Sequence, residues 1–259
     1  CSYGAMVGEF LSRNGMLKSL ATVCEAGGGY GSLMYGLLES FGASIERVCM
    51  IDLSSGLLRR QRRRLEGMHP RISFIRGDIQ ELIRTISGID LFIANEVMGD
   101  LDTLTGIDPS RPPKAAAELI EAYGLDIPQK PFNLNIGALK LVEALCVSRI
   151  PAFLSEHSSD PVFPPDMAYL AQGLELDSYP REIRLRGHSD YTIRFSHLER
   201  IARAHGRSVS TGSLLEIVPV KRTRSLETIF RMRACDTEEH EIVYELLDHI
   251  REYRWLTIR

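Results

Sequence analysis

Val23-Cys24-Glu25-Ala26-Gly27-Gly28-Gly29-Tyr30-Gly31-Ser32-Leu33 decides how the rest of the chain is read. The apolar, β-leaning residues 20–23 lead into an acid, Gly27, Gly29 and Gly31 then stand at every second position, and an apolar-periodic stretch follows. The pattern predicts strand, tight turn, helix. Glycine accepts a positive φ and lets a ligand approach the backbone. The N-terminus of the following helix offers free N–H groups and the positive end of a dipole. A dinucleotide fingerprint needs G-x-G-x-x-G. Counted from Gly27 its third glycine falls on Ser32, and counted from Gly28 its second falls on Tyr30. The spacing that fits is acid-x-G-x-G-x-G, on Glu25, Gly27, Gly29 and Gly31. The competing reading is a glycine turn without a ligand, and the order of the features downstream weighs against it.

The 259 residues suffice for one elaborated α/β domain with its own core. A formal net charge of −3 gives no general field for nucleic acid, and no nucleic-acid partner is expected. No apolar run is long enough to span a bilayer and no secretory signal opens the chain, so no membrane partner is expected. The chain starts at Cys1 rather than Met, and missing upstream residues are expected. The five cysteines, Cys1, Cys24, Cys49, Cys146 and Cys235, form no C-x-x-C pair, which argues against a zinc site or a disulfide framework. Cys24 and Cys49 stand in apolar strand runs, as buried core residues do. The expected compartment is reducing and cytosol-like, or the mitochondrial matrix if the source is eukaryotic.

Taken in order, residues 4–19 read as a helix with Met6, Val7, Phe10 and Leu11 as its stripe. A first strand runs to about Glu25. A helix with Leu33, Met34, Leu37, Leu38 and Phe41 on one face stops near Gly42, and a second strand over 47–51 ends at Asp52. An acid at that distance from a glycine turn meets a ribose in nucleotide-binding α/β folds, and a carboxylate suits a 2′,3′-diol. The alternative is an N-cap, a role that Ser54 or Ser55 could fill. The helix over 56–65 carries Arg59, Arg60, Arg62, Arg63 and Arg64, read as a solvated face rather than a nucleic-acid contact. The third strand, 72–76, leads to Gly77-Asp78-Ile79, where an acid can accept from the adenine amine and Ile79 can pack on the ring. The fourth, 90–94, runs into Asn95-Glu96-Val97-Met98-Gly99-Asp100. Ligands lie outside the carboxyl ends of such strands. Asn95, Glu96 and Asp100 are therefore the candidates to orient and deprotonate a nitrogen acceptor; a capping turn is the plainer reading.

The glycine turn resembles the first motif of class I S-adenosylmethionine (SAM) methyltransferases. Together with Asp52-Leu53-Ser54-Ser55-Gly56-Leu57-Leu58-Arg59-Arg60-Gln61 and Ala94-Asn95-Glu96, it resembles the MidA-like family of these enzymes. The resemblance is good over residues 8–100 and weaker over residues 187–198, where His188 falls in a G-H element. It implies SAM as cofactor, S-adenosylhomocysteine as product, and methylation of protein arginine. It also implies cofactor roles for Glu25, Gly27, Gly29, Gly31, Asp52, Leu53, Asp78 and Ile79. The chain departs from the family on the acceptor side. Leu101-Asp102-Thr103-Leu104 replaces an Ala-Leu-Pro, and Ser155-Glu156-His157-Ser158 replaces a D-Y-G-like strand end.

Residues 101–135 read as loops around a short helix over Lys114–Tyr123, followed by a helix over 136–147 and a fifth strand over 150–154. His157 reads equally well as a base or as a strand-end cap. In the last third, residues 181–186 and 191–195 alternate as strands. Ser196 is expected to cap a helix ending near His205, and 213–220 with 226–232 to form a hairpin. A final helix is expected through Tyr253. The expectation is an α/β, Rossmann-like class I SAM-dependent methyltransferase fold. It has a seven-stranded, mostly parallel sheet, an antiparallel C-terminal hairpin and an insertion after the fourth strand. One domain covers 1–259, with 98–148 as a helical insertion or lid. No metal is required. The acceptor is a protein or a small molecule, a homodimer is allowed, and a SAM-binding scaffold without turnover is the rival outside enzymology.

Overall fold

The structure, a computed structural model, describes all residues except Cys1, Arg186, Pro219, Lys221, Arg222, Arg233, Ala234 and Asp236. In chain order the elements are α1 (Tyr3–Arg13), β1 (Ala21–Ala26), α2 (Ser32–Phe41), β2 (Ile45–Asp52), α3 (Ser55–Arg64), β3 (Ile72–Arg76), α4 (Ile79–Leu82) and β4 (Leu91–Asn95). Then come β5 (Leu104–Ile107), α5 (Lys114–Tyr123), β6 (Phe132–Leu134), α6 (Ile136–Val147) and β7 (Ala152–His157). The last third holds β8 (Glu182–Arg184), β9 (Ser189–Tyr191), α7 (Phe195–Ala204), β10 (Val209–Ser213), α8 (Arg224–Met232), α9 (Glu238–Ile250) and β11 (Tyr253–Ile258).

Seven strands form one sheet in the order β10-β11-β7-β4-β1-β2-β3. β3, β2, β1, β4 and β7 are parallel, and β11 runs antiparallel between β7 and β10. A parallel sheet covered on both faces buries successive side chains on opposite sides. Val23, Met50, Leu91, Ile93 and Phe153 pack with α1, α2, α8 and α9 on one face. Cys24, Ile51, Phe92, Ala94 and Leu154 pack with α5, α6 and α7 on the other. Strand order reverses between β1 and β4, so the carboxyl ends of those neighbours splay around the crevice where such sheets bind ligands. α1 lies close on α2 because Gly4 has no side chain; a Cβ there would stand 1.9 Å from the Leu33 carbonyl oxygen. Among the described residues no helix is long and apolar enough to cross a membrane.

Several expectations are corrected. The first helix ends at Arg13, and Asn14 and Gly15 close it. The region 101–135 is less irregular than expected, since β5 and β6 pair antiparallel. α6 is the buried crossover between β4 and β7, which leaves 98–135 as the added segment. Residues 226–232 are a helix, not a strand, because Leu226, Ile229 and Phe230 recur at helical spacing and all three are buried. The strand that pairs with 209–213 is 253–258, a strand of which every residue is buried, so it shows no alternation. The final helix therefore stops at Ile250. Of the two strands expected over 181–186 and 191–195, the first is β8, with Arg186 outside the described residues, whereas the second is displaced to β9 at 189–191: Ile193 makes an isolated bridge to Ser158 and Phe195 opens α7. Val220 belongs to the expected hairpin and is described; Pro219 beside it is not.

Ser196 does not cap α7. Arg194 occupies the N-cap without a side-chain bond, and Asp160 supplies it from a distance. The Asp160 carboxylate accepts from the backbone N–H of Phe195 and of Ser196, each at 2.9 Å. It also pairs with the Arg254 guanidinium at 3.1 Å, and Arg254 reaches Glu199 at 2.8 Å. All three charged side chains are buried or nearly so. Removing one partner of a buried charge network leaves the others desolvated and unpaired. Asp160→Ala is expected to lower the unfolding free energy by about 3–5 kcal/mol, read from urea denaturation; a loss below about 1 kcal/mol would show that Arg254 and the α7 terminus have other partners.

Candidate active site

The cavity at the carboxyl edge of the sheet has a volume of about 610 Å³, within the range of small-molecule sites. Its floor is the glycine turn. Gly27 donates its N–H to the Ile51 carbonyl at 2.9 Å, which ties the turn to β2. Its φ is +63°, and a Cβ there would lie 2.3 Å from Val97 Cγ2. Glycine is required twice over at that position, by conformation and by contact. Gly31, at φ +77°, is the N-cap of α2 and closes the turn by donating to the Gly28 carbonyl at 2.7 Å.

Asp52 ends β2 at the cavity wall. Its Oδ1 accepts from the Ser54 N–H at 2.8 Å and its Oδ2 from Gln61 Nε2 at 2.9 Å. Gln61 also donates to the Gly29 carbonyl at 3.1 Å. Ser54, not Asp52, caps α3. Asp78 and Ile79 line the opposite wall, where Asp78 also caps the short α4 through the Gln80 N–H.

Glu25 is buried behind the turn and does not line the cavity. Its Oε2 has no hydrogen-bond partner. Burial, and secondarily the charge of Asp52, pushes its carboxyl up to about 8.

The far end of the cavity is acidic. Glu96 and Asp100 line it with Val97, Leu101, Asp102 and His188. Glu96 has φ +52°, a left-handed backbone that costs a non-glycine residue of order 1–3 kcal/mol. Its N–H is held by the Ser155 carbonyl at 3.0 Å, so the strain is paid from the β4–β7 pairing. Asn95 does not line the cavity. Its Oδ1 accepts the hydroxyls of Tyr3 at 2.8 Å and Ser155 at 2.7 Å, which leaves the amide N–H groups as what Asn95 can offer. Beneath lies Glu156, buried, accepting from the backbone N–H of Gly99 at 3.2 Å and of His157 at 3.0 Å. Burial outweighs those two donors and, with the charges of Glu96 and Asp190, pushes it up to about 7. Burial also raises the Tyr253 phenol, with Glu96 and Glu156 adding to it. Asp100 is half exposed; partial burial and its neighbour Asp190 raise it to about 6 against the lowering charge of His188. Asp100, His188 and Asp190 bring ligand atoms within 4.8 Å of one another and are, among the described residues, the group that could hold a metal ion. The hairpin β8–β9 delivers His188 and Asp190, pinned by the Tyr191 N–H on the Gly99 carbonyl at 3.2 Å. His157 stacks on Tyr253 at 5.1 Å and lies 3.7 Å from Glu252, with no place on the cavity wall.

Of the expected site residues, Gly27, Gly29, Asp52, Leu53, Asp78, Ile79, Glu96 and Asp100 line this cavity. Gly31, Glu25 and Asn95 stand just behind it. Sequence reasoning missed Tyr3, Val97, Leu101 and Asp102. The last two sit in a stretch read as a departure from a family pattern, and Tyr3 carries no local signal at all.

The sequence profile of the methyltransferase-domain family matches residues 23–104, from β1 to just past β4. Two solved structures from Burkholderia thailandensis are similar throughout. One, an uncharacterized protein, is 16% identical with a TM-score of 0.61, over 99% of this chain and 78% of that one. The other, of the same superfamily and bound to S-adenosyl-homocysteine, is 18% identical with a TM-score of 0.61, over 99% and 76%. The fold is that of the class I SAM-dependent methyltransferases. No curated protein matches the sequence. Within this methyltransferase fold the cavity occupies the carboxyl ends of β1, β2 and β4, on the glycine turn.

The raised Glu25 carboxyl makes stability depend on pH. Its folded value lies above the unfolded one, so the folded state holds the proton more tightly. Its contribution is whole below about pH 4.5 and is lost as pH rises toward about 8. Glu25→Gln is expected to flatten the decline of stability between those values, by at most about 1.4 kcal/mol per pH unit. Denaturation midpoints of both proteins across that range test this, and parallel curves would refute it.

Proposed function

We propose that this chain is a SAM-dependent methyltransferase that methylates a side-chain nitrogen of a protein, arginine by its resemblance to the MidA-like family. What carries the reading is one cavity with two chemically different ends. The glycine turn, Asp52, Asp78 and Ile79 stand at one, and the carboxylates of Glu96 and Asp100 at the other.

The residues fit the cofactor. The partnerless Oε2 of Glu25 is a buried acceptor behind the turn, suited to the ammonium of a methionine moiety. Asp52 accepts one bond on each oxygen and keeps lone pairs for a ribose diol. Ile79 and Leu53 offer apolar surface to an adenine, and Asp78 an acceptor for its amine. A similar Burkholderia thailandensis protein holds S-adenosyl-homocysteine, which supports the same ligand here. When bound, SAM supplies an electrophilic methyl group on a sulfonium.

The chain's own groups handle the acceptor. Glu96 accepts an N–H of the incoming nitrogen, fixes its lone pair toward the methyl group and takes up the proton that leaves. Asn95, its oxygen held by the Tyr3 and Ser155 hydroxyls, is left with its amide N–H groups to offer beside Glu96. Asp100, Asp102 and Asp190 make the rim acidic, with His188 among them. That charge favours a basic side chain over a neutral small molecule. Residues 98–135 act as the lid over the acceptor end through Leu101 and Asp102. The free thiols of Cys24, Cys49, Cys146 and Cys235 suit a reducing, cytosol-like compartment.

Calorimetric titration of SAM and S-adenosylhomocysteine is expected to give micromolar binding, weakened at least about tenfold in Asp52→Ala. Glu96→Gln should keep that binding and lose about 10²–10⁴-fold in methyl transfer to arginine-containing peptides. No binding by the unmodified chain would overturn the cofactor reading. Binding with transfer only to small molecules would overturn the acceptor.

A further inference from the structure

α3 has two faces, and the cofactor site explains one of them. Leu57 lines the cavity, Leu58 is buried, and Gln61 holds Asp52. On the other face Arg59, Arg60, Arg62, Arg63 and Arg64 are all exposed. A solvated helix face gains support when acids stand three or four residues from its bases. This chain uses that device elsewhere, as Arg13–Glu9, Arg203–Glu199 and Arg231–Glu227. On α3 the arginines at those spacings face one another, Arg59 with Arg62 and Arg63, and Arg60 with Arg63 and Arg64, and the one acid at such a spacing is Glu66, four residues after Arg62 and three after Arg63. Among the described residues none of the five has an ion-pair partner, and Glu66, the first acid after the helix, pairs with none of them. The helix carries uncompensated repulsion that the fold does not use.

Three of the guanidinium groups are laid over aromatic faces. Arg60 lies 4.9 Å from the ring centre of Tyr30, Arg62 4.6 Å from Phe74, and Arg64 5.0 Å from Tyr35. Stacking on a ring leaves the guanidinium edge free to donate. Tyr30 itself is 59% exposed on the glycine turn. Tyr30, Arg60, Arg63 and Arg64 line an open trough of about 600 Å³. A second, of about 290 Å³, shares Arg63 and runs on past Arg62 and His69.

We propose that this face binds a single-stranded nucleic acid, with phosphates on the arginine edges and a base stacked at Tyr30 and Arg60. Arginine grooves interleaved with aromatic rings are the chemistry of such binding. The chain's net charge of −3 concealed it, because the five positive charges are local. An anionic membrane is the less fitting partner. The exposed face carries no apolar side chain between residues 59 and 64 to enter the interface. The inference does not rest on what the methyl acceptor is.

The test is fluorescence anisotropy with a labelled 12-nucleotide oligouridylate RNA, followed across salt. Micromolar binding at low salt is expected, with a slope of log K against log salt of about −2 to −3, three to four phosphates for a single strand. The triple variant R60Q/R63Q/R64Q should bind at least about tenfold more weakly with a flatter slope, at an unchanged melting temperature by circular dichroism. If the triple variant does not fold, R59Q and R63Q, at positions that stack on no ring, should each weaken binding about two- to threefold. No binding at 50 mM salt and about 50 μM protein would overturn the proposal. So would binding that the variants leave unchanged, or capture by phosphatidylserine vesicles without binding of the RNA.

Discussion

The Gln61 side-chain amide holds the site together. It is buried on α3 and donates at once to the Asp52 carboxylate and to the Gly29 carbonyl. Those two bonds tie the end of β2, the glycine turn after β1 and the helix that follows β2 into one unit. Without them Asp52 would be held on one oxygen alone, by the Ser54 N–H. With them the carboxylate faces the cavity with lone pairs to spare, and the turn is clamped at the point where its backbone approaches a ligand. The price is a buried Gln61 Oε1 with no partner, tolerable because the amide's two donors are both used.

The buried charges of this protein fall into two classes with opposite treatment. Asp160, Glu199 and Arg254 are joined to one another and to the N-terminus of α7, so burial is offset by pairing. Glu25 and Glu156 are buried at the crevice, beside the exposed Glu96, and none of the three has an ion-pair partner among the described residues. Glu25 and Glu156 respond by holding their protons to higher pH. Structural charges are satisfied within the fold, whereas those at the crevice keep capacity for what enters it. Glu96 adds backbone strain to the same site.

The acceptor end is assembled from distant parts of the chain. Tyr3 from the first helix pins Asn95; Tyr253 from the last strand stacks on His157 and faces Glu96 and Glu156; the β8–β9 hairpin brings His188 and Asp190 over Asp100. The cofactor end draws on residues 25–79 alone. That difference explains why the two ends were unequally legible.

From Glu25 to Asp100 the sequence by itself determined the strands, the turn, the helices and eight residues that line the cavity, because each depends on local pattern: period two or 3.6, a glycine where φ is positive, an acid at a strand end. Beyond that stretch the same reasoning lost the last strand, whose uniform burial erases alternation, and took a helical stripe at Leu226, Ile229 and Phe230 for a strand. Only the tertiary structure decided that Asp160 caps α7, that Asn95 presents donors because Tyr3 and Ser155 occupy its oxygen, and that among the described residues the five arginines of α3 pair with no acid. The first two are contacts between residues tens of positions apart, set by how the sheet orders its strands. A linear pattern records what a residue prefers nearby, and it carries no information about which distant group packing brings within 3 Å.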